Sequence, residues 1–109
     1  MLLLINDQEM KSKYFSTSKR RAFDACLTAL RQLECPVKSA DYSNGLIEAE
    51  KKGGLLSYGH AIEITVKATE SARTKVSVTS SSVGVQVIDW GTNSNNEDEI
   101  ISAIVRALT

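Results

Sequence analysis

Residues 61–68 read AIEITVKA, and their strict alternation decides the fold. In an extended chain Ile62, Ile64 and Val66 fall on one side, and Glu63, Thr65 and Lys67 on the other. TKVSVTSSS at 74–82 repeats the pattern, with Val76 and Val78 inward and Lys75, Ser77 and Thr79 outward. A sheet with one aliphatic and one polar face is covered on one side only, the habit of antiparallel sheets. Upstream, VKSADYSNGLIEAEKK at 37–52 reads as a strand, or an extended lead-in, over Val37 to Tyr42, a hairpin turn at Ser43-Asn44-Gly45, then a strand with Ile47 and Ala49 inward and Glu48 and Glu50 outward. VGVQVIDW at 83–90 either continues the preceding strand past a bend or forms one more short strand.

Two amphipathic helices supply the cover. In KSKYFSTSKRRAFDACLTALRQLECP, residues 11–36, the residues Phe23, Cys26, Leu27, Leu30 and Leu33 form one stripe at three-and-four spacing. Thr17 or Ser18 caps the start and Pro36 marks the stop. Lys19, Arg20 and Arg21 occupy the first turn, where the helix dipole disfavours them. Upstream, the tripeptide KYF reads as a strand entering this helix. At the other end, Asn96 with Glu99 matches the N-cap and N3 positions of a capping box, with Glu97 and Asp98 suiting the positive end of the dipole. Ile100, Ile101, Ile104 and Leu108 follow as an apolar stripe. The expectation is an α+β two-layer sandwich. An antiparallel sheet of about four strands carries two helices on one face, in the order β-α-β-β-β-α.

The 109 residues make one domain, 1–109, and 42% hydrophobic with 24% charged residues is ordinary for a folded chain. Thirteen basic and thirteen acidic residues cancel, so no nucleic-acid partner is expected. The opening MLLLI is too short for a membrane span or a leader. Cys26 and Cys35, about 13 Å apart along a helix, are too distant to bridge. Reduced thiols favour the cytoplasm, with export left open if a leader has been removed.

Little chemistry stands out. His60 is the only histidine, so there is no paired-histidine metal motif, and neither a metal nor a cofactor is expected. Cys26 lies on the core stripe; Cys35, beside Pro36, is expected to be more exposed. GGLLSYGH at 53–60 has three glycines but runs into a strand rather than a helix, so it is not a P-loop. It can present Leu55, Leu56 and Tyr58 as a contact surface. The basic trio 19–21 suits either a solvated face or an anion at a helix start. Trp90, in DWGTNSNNEDEI at 89–100, either closes the open end of the core or stacks on a ligand, with Asp89 and Asn93 supplying hydrogen bonds.

NGLIEAEKK, ARTKVSVTSSS and the terminal DWGTN together resemble a family of small uncharacterised bacterial α/β domains. Their order is a helix, a strand with N-G-x-I, two amphipathic strands, then W-G-x-N and a final helix. The resemblance covers about residues 15–108 and implies a two-layer α/β fold. It carries no activity and no catalytic residue. Some look-alikes are envelope lipoproteins, but this chain has no lipobox cysteine near its start.

These features point to a non-enzymatic binding or scaffold module for a protein or small ligand, its candidate contacts Trp90, Asp89, Asn93, Tyr58 and His60. The alternative is a small hydrolase or ligand-dependent enzyme using Cys35 or His60. Homo-oligomerisation through a sheet edge is compatible with the first reading.

Overall fold

The computed structural model describes residues 9–52, 59–70, 72–82 and 92–109. The elements run β1 (Glu9–Phe15), α1 (Lys19–Gln32), β2 (Val37–Asp41), β3 (Leu46–Lys51), β4 (His60–Thr69), β5 (Arg73–Ser82) and α2 (Thr92–Leu108). The sheet is antiparallel, with five strands in the order β1-β5-β4-β3-β2, one more than the composition of alternating segments suggested. The added strand is β2, since the expected order already has a strand before α1 and only three after it; β1 in turn runs longer than the KYF that reads as extended in the sequence. β1 is hard to see because its polarity is inverted. Lys11 and Lys13 pair with Val78 and Val76 on the helix side, leaving Met10 and Tyr14 on the outer face.

Both helices pack on the same face. Ile47, Ile62, Ile64, Val66, Val76 and Val78 meet Ala22, Cys26, Ala29 and Leu30 of α1 and Ile100 and Ile104 of α2 in one buried cluster. Two alanines and a cysteine on α1 keep that helix close to the sheet. The hairpin expected at 43–45 is present, its Gly45 at a φ of 63°. A side chain there is barred: a Cβ on Gly45 would lie 2.1 Å from the Val66 carbonyl oxygen.

The ends of α1 are built from local chemistry. Ser18 accepts the Arg21 N–H at 3.2 Å, the N-cap expected. Lys19 and Arg20 offset their unfavourable place in the dipole by lying 4.7 and 4.8 Å from the Tyr42 ring. The C-terminus closes in a Schellman motif, with Cys35 N–H donating to Leu30 O at 2.8 Å and Glu34 N–H to Arg31 O at 3.1 Å. Glu34 takes the left-handed position at φ 57°. This motif corrects the expectation for Cys35. Folding the chain back over its last turn presses Cys35 onto Leu30, and the residue is only 3% exposed.

A second correction concerns α2. The helix starts at Thr92, so Asn96 is no cap and Glu97 and Asp98 are not at the positive end. Asn96 and Glu97 lie four and three residues before Ile100, on the same stripe, and are buried. Among the described residues, no helix is long and apolar enough to cross a membrane.

Candidate functional site

The inner face of the sheet changes chemistry at one end while keeping its period. β3 runs Ile47, Ala49, Lys51; β4, read backwards, runs Val66, Ile64, Ile62, His60; β5 runs Val76, Val78, Ser80. Register brings the changes together: Lys51 pairs with His60, His60 with Ser82, and Ile62 with Ser80. The first half of α2 lies opposite, and its stripe also turns polar there, with Asn96 3% and Glu97 0% exposed.

Four consecutive residues of α2 tie the helix to three strands. Asn96 accepts from Lys51 Nζ at 2.8 Å and donates from Nδ2 to Ser80 Oγ at 3.4 Å. Glu97 Oε2 accepts the Ser80 backbone N–H at 2.8 Å. Asp98 pairs with Lys11 of β1 at 2.8 Å, and Glu99 with Lys51 of β3 at 3.1 Å. Successive helical residues point about 100° apart, which is why neighbours in sequence reach different strands. Lys51 and Glu99 stay partly exposed, so this end of the interior meets solvent through their pair. Burying a carboxylate where an aliphatic side chain would fit costs several kcal/mol unless it is well partnered. Such an arrangement marks a candidate site.

His60, among the residues singled out in the sequence, sits in this cluster and is 8% exposed. Asn93 lies in the first turn of α2, its side chain outside the described atoms. Tyr58, Asp89 and Trp90 lie outside the described residues, as do Leu55 and Leu56. Sequence reasoning missed Lys51, Ser80, Asn96 and Glu97 as site residues. The signal was there: continuing each alternation to the end of its strand places Lys51 and Ser80 inward.

Cys35 adjoins the cluster but is poorly suited to attack. Burial pushes its thiol up, opposed by Lys51 and reinforced by Glu99, and Sγ points to Leu33 O at 3.7 Å. A protonated thiol is a weak nucleophile, which argues against catalysis through position 35. Cys26 is pushed up by burial to about 12. The two cysteines are unbridged. Among the described residues, no three His, Cys, Asp or Glu groups converge as metal ligands. A groove of about 570 Å³ beside Cys35 is lined by Leu27, Arg31, Glu34, Pro36 and Val37.

No protein-family model matches the sequence and no curated protein matches it. Solved structures share the fold. A protein from Bacillus thuringiensis described as uncharacterised superposes with a TM-score of 0.62 at 14% identity, covering 93% of this chain and 95% of its own. Ara h 8.0201 gives 0.61 at 8% identity, covering 93% and 97%. The ZhuI aromatase/cyclase from Streptomyces sp. R1128 gives 0.55 at 8%, covering 93% and 86%. At these identities the likeness is one of architecture: an antiparallel sheet with helices on one face.

Proposed function

We propose that this chain is a non-enzymatic module that binds a small ligand at the polar end of its interior. Lys51, His60, Ser80, Asn96 and Glu97 supply the hydrogen-bonding groups. The observation that carries the reading is the coincident switch from aliphatic to polar side chains on β3, β4, β5 and α2 at one end. A chain selected only for stability would fill those positions with aliphatic residues. The fold is compatible, since one structure sharing it is named an aromatase/cyclase. The binding contacts proposed from the sequence, Tyr58, Asp89, Trp90 and Asn93, border this end in the chain. Residues 53–58 lie between Lys51 and His60, and 83–91 follow Ser82.

The test is amide chemical-shift mapping against a library of small organic molecules, with Trp90 fluorescence read in parallel. A ligand that moves the amides of Lys51, His60, Ser80 and Asn96, and that His60→Ala and Trp90→Phe weaken, supports the reading. A library without a binder, or binders that move only the outer face of the sheet, overturns it.

A further inference from the structure

The outer face of the sheet has a pattern that neither the core nor the polar cluster requires. Its central row is neutral: Ser12, Ser77, Thr65 and Leu46 lie side by side on β1, β5, β4 and β3. Ser12 and Ser77 share a 2.8 Å hydrogen bond within it. Two residues to one side lie Met10, Thr79, Glu63 and Glu48, again in register. Two residues to the other side lie Tyr14, Lys75 and Lys67. Each flanking row is about 7 Å from the centre at the ordinary rise of a strand.

This layout is self-complementary. We infer that the outer face is an interface for a second copy of the chain, related by a two-fold axis running along the Ser12–Ser77–Thr65–Leu46 row. A rotation about that line keeps each strand in its column, exchanges the two flanking rows and turns one sheet to face the other. Glu63 then meets Lys67 of the second copy, Met10 meets Tyr14, and Thr79 meets Lys75. Every contact occurs twice, as an isologous interface demands.

Two independent features agree with this partner. The first is charge: among the described residues neither Glu63 nor Lys67 has an ion pair, although both are exposed on the same strand. The second is the inverted edge strand. β1 turns Met10 and Tyr14 outward, 66% and 53% exposed, with lysines on its helix side. Facing each other across the axis, they form a sulfur–aromatic contact. The three strands that continue on both sides of the axis, β1, β5 and β4, offer on the order of 400 Å² per copy, the size of a weak, concentration-dependent interface.

The experiment is sedimentation velocity from micromolar to near-millimolar protein, on the wild type, Glu63→Lys, Lys67→Glu and the double exchange. The wild type is expected to dimerise, more weakly at high salt. Each single change sets like charges against each other twice and should weaken association roughly tenfold to hundredfold. The double exchange restores it. Mixing the two single variants gives a heterodimer, because all-lysine then faces all-glutamate. Both positions of the exchange are exposed, so circular dichroism and melting of each variant should match the wild type. A wild type that stays monomeric throughout overturns the inference. So does a dimer that the single variants leave intact, which would place the contact at a sheet edge or elsewhere.

Discussion

The two ends of the layer between helices and sheet share one geometry and differ in chemistry. At one end, Ile64 lies between Ile47 and Val78, with no polar group to satisfy. At the other, Lys51 and Ser80 bond to Asn96 and Glu97, with His60 buried beside Lys51 in the sheet, and each group needs a partner in a set position. Dispersion and water exclusion hold the first end and tolerate small shifts. Directional bonds hold the second, and their loss leaves a penalty as well as a gap. Periodicity therefore tells which face a residue takes, and side-chain class tells what that face is for.

The widest separation between the ends comes from truncation. Ile64→Ala should cost about 2–5 kcal/mol through lost transfer energy and a residual cavity, read by urea unfolding. A value below about 1 kcal/mol would mean that the aliphatic end is loosely packed. At the polar end, Glu97→Ala strips the acceptor from the Ser80 N–H and should cost about 1–3 kcal/mol, whereas Glu97→Gln keeps an acceptor and should cost less. Equal losses for both would show that charge matters there and geometry does not.

A pH measurement separates the ends in another way. Burial raises the Cys26 thiol from 9.0 to about 12 in the fold. The stabilisation tied to the protonated form is fully present below about pH 9 and declines as pH rises toward 12. Cys26→Ala should flatten the alkaline limb of the stability profile while lowering the whole curve. An unchanged slope would remove Cys26 as its source.

Smaller effects test the helix that joins the two ends. Ser18→Ala removes the α1 cap and should cost about 1 kcal/mol. Glu34→Gly relieves a left-handed residue and should stabilise by up to about 1 kcal/mol, seen as a small rise in Tm. A fall in Tm would mean that Glu34 contributes more through its side chain than its backbone costs.

The sandwich and the α1 stripe were legible because each rests on an aliphatic period, and the hairpin at 43–45 because Asn44-Gly45 is a turn signal in its own right. What escaped had a physical reason in each case. The α2 start was misplaced because Asn96 and Glu97 occupy core-facing positions with polar side chains, and a polar run before an apolar stripe looks like a cap. Cys35 looked exposed because burial after a helix depends on Glu34 adopting a positive φ, which nothing in its type announces. β1 was read short because its lysines face the helices and its large apolar residues face out. Of the contacts proposed from sequence, His60 lies among the buried polar groups. Its neighbours there were invisible singly, since their significance lies in register between strands.

Strand order also has a kinetic consequence. β2 to β5 pair with their sequence neighbours and can zip up hairpin by hairpin, whereas β1 meets β5 only after closing a loop of about 60 residues. β1 is therefore expected to dock last and to fray first. Native-state hydrogen exchange should find its amides opening at lower free energy than those of β4. Each such opening bares the rim of β5, so a neighbouring molecule's β1 can take the vacant place, a route to strand exchange between chains.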